Sequence, residues 1–258
     1  MKHIYKFSIV LLTVFTFIGC NVDDDDSVTV LPMKELTASL SQQEDVIRIA
    51  DDATSYDLVI NFSEALPSYS TIEYSLDGGA TTISSASSGD NTLVIPIAFD
   101  EDKFFRDVVL SDFIVVNAAA RRFSTSITGN SSLRIARQGT IFAAPGSVEI
   151  TVTWSNAAKD LDIFLVTGNQ DLGGALIDDS QGVTTTEQVV LPADQEGVFS
   201  LYMYEWSSDY PVDYEINYVF EDGQVLSFDS NISSDSFQFT ISKSNDGAQM
   251  ICYINKIE

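Results

Sequence analysis

Short runs of alternating apolar and polar residues dominate the chain from Leu36 onward. In Val148–Trp154 every second residue is apolar, and Tyr214–Phe220 and Phe237–Ile241 repeat this pattern. A period of two places the apolar side chains on one face of a half-buried strand. Turn residues separate these runs at intervals of about ten residues, which is typical of sandwiches. We therefore predict an all-β fold of antiparallel β-sandwiches.

The predicted strands fall into two tandem sandwich domains, residues 35–138 and 139–258. Those of the first domain are Val46–Ala50, Asp57–Phe62, Thr71–Ser75, Thr92–Phe99, Val108–Val116 and Ser132–Ala136. Those of the second are Ser147–Trp154, Val198–Trp206, Pro211–Phe220, Val225–Phe228, Ser236–Ser242 and Gln249–Ile254. About eight strands in the second domain are typical of a jelly roll. Residues 20–34 are poor in apolar side chains and predict an acidic tether.

Residues 1–19 have the three-part form of a secretory signal peptide. Lys2 and Lys6 give a positive start, residues 7–18 are almost entirely apolar, and Gly19 is a small residue at the end. A helix that spans a membrane needs about 20 apolar residues, so this segment is too short to remain as a span. We expect it to be removed.

The sequence that follows the leader resembles two signals of bacterial lipoproteins. Phe17-Ile18-Gly19-Cys20 resembles the lipobox, and Asp23–Asp26 resembles the acidic export signal of Bacteroidota surface lipoproteins. The resemblance implies cleavage before Cys20, fatty acyl chains on Cys20, and a location at the outer membrane facing the cell exterior. Stable anchoring takes two lipid signals, and no transmembrane helix is then needed. The alternative is an ordinary secreted protein with an acidic linker.

Charge and composition exclude several classes of function. The net charge is −25, which argues against a nucleic-acid partner. The one histidine, His3, lies in the leader. The mature chain therefore has no imidazole for a Ser-His or Cys-His pair or for a His-ligated zinc site. Cys252 has no second cysteine with which to pair once Cys20 is lipidated, and it is predicted to be a small buried apolar residue.

Each predicted domain resembles a known class of β module. Leu58–Pro67 and Ile72–Thr81 together resemble Calx-beta and related immunoglobulin-like modules, with a strand, a Ser-x-x-Leu-Pro corner and a strand that ends in an Asp-Gly turn. Arginines stand near the end of this domain, where that family has its acidic calcium positions, so calcium is not expected there. Thr151–Asn156 and Asp160–Leu165 resemble the C-terminal accessory domains of secreted peptidases, which implies a non-catalytic module.

Four aspartates of the second domain form a candidate calcium site. Asp160 and Asp162 lie on one face of a predicted strand, and Asp178 and Asp179 are expected in a loop that follows it. Calcium takes six to eight oxygen ligands, several of them from carboxylates. The alternative is a solvated acidic surface, because no EF-hand spacing is present. No other cofactor is expected.

Tyr202, Tyr204 and Trp206 form a candidate ligand platform. They share the face of a predicted strand opposite Leu201 and Met203, so both faces of this strand are rather apolar. Aromatic rings with nearby carboxylates can stack against sugars and hydrogen-bond them. The alternative is that one face fills the core and a loop or the first domain covers the other.

The only basic stretch of the chain contains four arginines, and two placements are open for it. The second domain has 3 basic and 19 acidic residues. We therefore predict that the arginines face that domain across the junction; the alternative is an exposed loop that meets an acidic partner. The arginines are Arg121, Arg122, Arg134 and Arg137.

These observations predict a non-catalytic, lipid-anchored cell-surface protein that binds a glycan or another surface protein. One alternative is a carboxylate-based glycan hydrolase, since any two of the 38 acidic residues could meet in the fold. A second alternative is a structural spacer that displays charge. No motif selects a catalytic pair.

Overall fold

A computed structural model of the chain describes residues 33–100, 103–116 and 122–257. All regular elements in these ranges are β-strands, 19 in four sheets, which confirms the all-β prediction. The same ranges contain no helix long and apolar enough to cross a membrane. Cys20, the predicted signal peptide and Arg121 lie outside the described residues.

The first sandwich contains nine strands in two sheets. They are β1 (Lys34–Leu40), β2 (Val46–Ile49), β3 (Ser55–Phe62), β4 (Ser70–Leu76), β5 (Thr82–Ala86), β6 (Thr92–Ala98), β7 (Phe105–Val115), β8 (Phe123–Ile127) and β9 (Ser132–Arg137). One sheet has the order β6-β3-β1-β8 and the other β2-β9-β7-β4-β5. The pairing is antiparallel, as predicted, except that β8 joins β1 and β2 joins β9 in parallel.

Alternation explains how the two sheets of the first sandwich meet. Leu58, Ile60 and Phe62 point inward from β3, and the residues between them point outward. Phe62 stacks on Phe113 of the opposite sheet at 5.3 Å between ring centroids. The chain changes sheets between β1 and β2, within residues 41–45, so both sheets share the same core.

The second sandwich contains ten strands, more than the eight expected. They are β10 (Thr140–Ala143), β11 (Val148–Trp154), β12 (Leu161–Thr167), β13 (Leu176–Ser180), β14 (Thr186–Leu191), β15 (Gly197–Glu205), β16 (Val212–Phe220), β17 (Val225–Ile232), β18 (Ser236–Asn245) and β19 (Met250–Lys256). The long sheet has the order β10-β19-β18-β15-β12-β13, and the short sheet has the order β14-β11-β16-β17. The resemblance to a jelly roll stays a prediction. Cys252 of β19 is buried.

Six of these strands were absent from the sequence prediction: β1, β5, β8, β10, β13 and β14. Five of the six are the edge strands of their sheets. An edge strand has one neighbour, and its short sequence need not carry a clear apolar stripe. The expectation that Asp178 and Asp179 lie in a loop is wrong, because both belong to β13.

A two-residue connection joins the sandwiches between Arg137 and Thr140. Gly139 N donates to Asp51 Oδ1 at 3.0 Å, and Ile254 N donates to Gly139 O at 3.0 Å. A Cβ atom at position 139 would lie 2.1 Å from Ile254 O, so only glycine fits without movement of the main chain. The connection is thus held by both sandwiches.

The surface where the sandwiches meet is aromatic rather than acidic. Arg134 lies over the Phe142 ring at 4.4 Å and pairs with Asp107 of its own sandwich, at 2.6 Å from Nε to Oδ1. Phe105 packs edge-on against Phe142 at 5.5 Å, and Arg48 Nη1 donates to Thr140 O. Cation–π contact and carbonyl hydrogen bonds therefore join the sandwiches, and the charge of Asp246 in the second sandwich also attracts Arg134.

The predicted placement of the arginines holds only in part. Arg134 reaches the second sandwich, where it also donates to Gln249 Oε1 at 3.4 Å. Arg137 is buried, but its guanidinium donates to main-chain carbonyls of the first sandwich. Arg122 is exposed, and its carbonyl accepts a hydrogen bond from Lys34 N. The sequence analysis missed Arg48.

Candidate functional site

The outer face of the long sheet carries a cluster of aromatic side chains on three neighbouring strands. Leu201 and Met203 of β15 point into the core, so Tyr202 and Tyr204 point outward and are half-buried. An irregularity between Leu201 and Tyr202 shifts the pairing with β18 and places Phe237 opposite Tyr202. We call the cluster the aromatic patch; its members are Phe164, Tyr202, Tyr204, Trp206 and Phe237.

The rings of the aromatic patch form a row of three and a neighbouring pair. Phe164 and Tyr204 are nearly parallel, with an angle of 13° and 5.7 Å between centroids. Trp206 continues the row at 6.4 Å from Tyr204 and is 69% exposed. On the other side, Phe237 meets Tyr202 edge-on at 5.3 Å. The patch therefore presents ring surface to solvent across the strands β12, β15 and β18.

Two shallow cavities adjoin at Tyr202 and Leu172. The first, of about 250 Å³, is apolar and is lined by Phe164, Val166, Leu172, Tyr202 and Tyr204. The second, of about 500 Å³, has mostly polar walls: Gln170, Leu172, Tyr202, Asn231, Ser233, Asp235, Ser236, Phe237, Gln238 and Ile257. An apolar floor beside hydroxyl, amide and carboxylate groups suits a ligand that has one apolar and one polar side.

Two carboxylates border the aromatic patch. Asp162 is buried opposite Tyr204, and the two side chains interact. Burial raises the pKa of Asp162, and the nearby charges of Asp160 and Glu187 raise it further. Burial and the interaction with Asp162 raise the pKa of Tyr204 to about 12. Asp235 accepts a hydrogen bond from the Tyr210 hydroxyl.

A buried carboxylate fixes the turn that carries Trp206. Glu205 accepts hydrogen bonds from Asp209 N at 2.6 Å and from Ser207 Oγ at 2.7 Å. Burial alone would raise the pKa of Glu205, but these bonds outweigh it and lower the pKa. Tyr210 closes the turn, because its hydroxyl oxygen accepts from Glu205 N at 2.8 Å. Trp206 is therefore presented by an ordered turn rather than by a loose loop.

The four candidate calcium ligands do not converge on one point. Asp178 accepts from Val190 N at 2.8 Å and from Asp179 N at 3.0 Å, so its oxygens serve the main chain. Asp179 is exposed and accepts from Gln181 Nε2. Asp160 has one buried oxygen without a hydrogen-bond partner. Within the described ranges, no three His, Cys, Asp or Glu side chains are grouped so that they could hold a metal ion. Calcium binding stays a prediction.

Sequence reasoning found three members of the aromatic patch and missed two. Phe164 could have been found from the sequence. It is an apolar residue at an outward position of Leu161–Leu165, where Leu161, Ile163 and Leu165 point inward. Phe237 belonged to a predicted strand but was assigned to the core face, and the shifted pairing places it on the outer face. Leu172 and Asp235 lie outside the strands, and no local pattern marks them.

No protein-family model matches the chain, and no curated protein matches it. Similar solved structures include the apo form of the Calx CBD1 domain, with 9% identity, a TM-score of 0.30, and coverage of 40% of this chain and 95% of that one. The CBD12 structure from CALX1.2 has 12% identity, a TM-score of 0.30 and coverage of 72% and 83%. CBD12 of CALX1.1 has 11% identity, a TM-score of 0.28 and coverage of 64% and 78%.

Proposed function

We propose that the aromatic patch binds a glycan and that the protein is a non-catalytic binding module held outside the cell by a lipid anchor. The observation that carries the proposal is the row of outward rings, Phe164, Tyr204 and Trp206, on the edge of an apolar cavity. Soluble proteins rarely leave contiguous apolar surface uncovered unless it binds a partner.

The chemistry around the rings favours a sugar over a purely apolar ligand. A pyranose ring has an apolar C–H face that stacks on aromatic rings, and its hydroxyl groups need hydrogen-bond partners at the rim. Asp162 and Asp235 border the patch, and Gln238 and Asn231 line the adjoining cavity. Apolar contact and polar groups are therefore available within one ligand-sized area.

The two carboxylates act in this proposal as hydrogen-bond acceptors and not as an acid and a nucleophile. Glycoside hydrolysis needs one carboxyl group that donates a proton and a second that attacks or activates water across the scissile bond. Asp235 instead accepts a hydrogen bond from the Tyr210 hydroxyl group, and Asp162 interacts with the side chain of Tyr204. Both groups are therefore oriented to accept hydrogen bonds.

The location rests on the first 26 residues. Acyl chains on Cys20 would hold the mature chain at the membrane, and β1 begins at Lys34. Fully extended, residues 21–33 span at most about 45 Å, so the sandwiches can stand clear of the lipid head groups. A binding site on the outer sandwich would then face the surroundings of the cell.

Binding by the aromatic patch can be tested with substitutions of its rings. The full chain, purified in detergent, is titrated against mixed-linkage β-glucan, glucomannan, dextran and galactan by affinity electrophoresis and calorimetry. Tyr204→Ala should weaken binding about tenfold and Trp206→Ala about threefold, because stacking surface is lost. Tyr69→Ala removes an exposed tyrosine of the first sandwich and should leave the affinity unchanged.

A wild-type chain that binds none of these glycans would contradict the proposal, and so would binding that survives loss of both rings. The anchor has a separate test. Metabolic labelling with palmitate should mark the wild-type protein and not Cys20→Ala, and external protease should digest the protein on intact cells. Labelling of both proteins, or of neither, would contradict lipidation at Cys20.

A further inference from the structure

The charged side chains next to the rings of the aromatic patch are acidic. Asp235 lines the second cavity, Asp162 is buried opposite Tyr204, and the charges of Asp160, Asp179 and Glu187 act on Asp162. No lysine or arginine lines either of the two cavities at the patch. An anion that enters would therefore meet carboxylates without a compensating cation.

None of the three basic residues of the second sandwich lines either cavity. Lys159 pairs with Asp209, on the turn that follows Trp206. Lys243 is buried and donates to the carbonyls of Pro192 and Ala193, at 3.2 Å for the second. Lys256, the third, ends β19 and lines neither cavity; it is exposed and precedes Ile257, which lines the second cavity.

We propose that the patch selects uncharged glycans and rejects glycans that carry carboxylate or sulfate groups. This proposal rests on the proposed function and assigns the ligand class of the same site. Carboxylate oxygens accept hydrogen bonds from the hydroxyl groups of a neutral sugar, and these charge-assisted bonds are stronger than neutral ones. The same oxygens repel a uronate.

The buried position of Asp162 makes the repulsion effective. Charges at a buried site are screened much less than charges in open solvent, so a like charge there is costly. We expect an anionic sugar to bind about thirtyfold more weakly than its neutral counterpart at low salt. Part of this penalty should disappear in concentrated salt, because Asp235 is exposed and its charge is screened.

The test compares two probes that differ in charge alone. The glycan that binds best among β-glucan, glucomannan and galactan, whose primary alcohols are free, is oxidised at part of these alcohols to carboxylates, with the backbone and linkages unchanged. Alginate and polygalacturonate serve as natural acidic probes. Wild-type protein should bind the oxidised glycan about thirtyfold more weakly at 50 mM NaCl, and the gap should narrow at 500 mM NaCl.

Asp162→Asn combined with Asp235→Asn provides the decisive variant. Asparagine keeps an oxygen acceptor and removes the charge, so binding of the neutral glycan should weaken about three- to tenfold as the charge-assisted bonds are lost, while the gap to the oxidised glycan shrinks to about threefold. Wild-type protein that binds the oxidised glycan or alginate as tightly as the neutral glycan would overturn the inference. So would a thirtyfold gap that persists in the double variant.

Failure of the inference is distinguishable from failure of the proposed function. If neutral and oxidised glycans bind equally and Tyr204→Ala weakens both, the patch is a glycan site without charge selectivity. If no neutral glycan binds, or if Tyr204→Ala has no effect, both proposals are wrong. Circular dichroism of each variant checks that the sandwich is intact.

Discussion

The outer face of the long sheet has two halves, and both carry aromatic side chains. On the β10–β19 half, Phe142 and Tyr253 are covered by the first sandwich: Phe105 and Arg134 contact Phe142, and Phe104 stacks on Tyr253 at 4.3 Å. On the β12–β15–β18 half, the residues that border the aromatic patch all belong to the second sandwich. One half is a domain interface, and the other is open to solvent.

This comparison separates two reasons for an outward aromatic residue on a strand. Each Å² of apolar ring surface that is removed from water contributes about 25 cal/mol to the free energy of folding. The covered rings at the junction therefore stabilise the two sandwiches as one unit. The rings of the patch receive no such contribution from the first sandwich, and their exposure indicates a partner outside the chain. Composition alone does not distinguish the two cases.

The largest expected difference between the halves is in stability. Phe142→Ala should lower the free energy of unfolding by about 2–4 kcal/mol, because it removes a ring packed between the sandwiches. Tyr204→Ala, at a half-buried position on the same face, should cost less than about 1.5 kcal/mol, because one side of its ring is already in water. Urea unfolding of both variants measures the two losses in the free energy of unfolding. Equal losses would mean that the two halves are covered alike.

A smaller effect is expected from the cation at the junction. Arg134→Lys should lower the free energy of unfolding by about 1–2 kcal/mol, because lysine cannot bind Asp107 through two nitrogens while lying flat on Phe142. Calorimetry should also show the two sandwiches melting less cooperatively. Arg122→Lys is the matched control, since Arg122 is exposed. A variant that melts like the wild type would show that the junction does not depend on Arg134.

The smallest expected effect is a pH-dependent gain at the patch. The pKa of Asp162 is raised by burial above its ordinary value of 3.8, so the folded state binds this proton more tightly than the unfolded state does. The contribution of Asp162 to stability therefore falls as pH rises from about 3.8 through the raised pKa. Asp162→Asn should melt slightly higher than the wild type at pH 7.

The gain from Asp162→Asn should vanish near pH 3, where the wild-type carboxyl group is protonated in both the folded and the unfolded state. Asp229→Asn, at an exposed position of the short sheet, is the matched control and should show no gain. Thermal melts at pH 3, 5 and 7 provide the measurement. A gain that stays constant across these values would contradict a role for the Asp162 charge.

Much of the fold could be predicted from the sequence, because many strands carry their pattern of apolar residues within a few consecutive positions. Strands such as β11, β16 and β18 carry their own apolar stripe, so seven residues suffice to recognise them. Edge strands such as β5 and β13 form by pairing with a neighbouring strand and lack a clear apolar pattern of their own, so the sequence did not predict them. Tyr202 and Tyr204 were predicted to share the face opposite Leu201 and Met203, because the four residues alternate along the strand.

The sequence by itself determined that β15 presents tyrosines on one face and core residues on the other, because alternation is a property of consecutive residues. Only the tertiary structure decided which outward aromatic side chains are covered. Two of the covering contacts join Phe104 to Tyr253 and Arg48 to Phe142, which lie about a hundred residues or more apart. No local pattern specifies such contacts, because they arise from the packing of one completed sandwich against another.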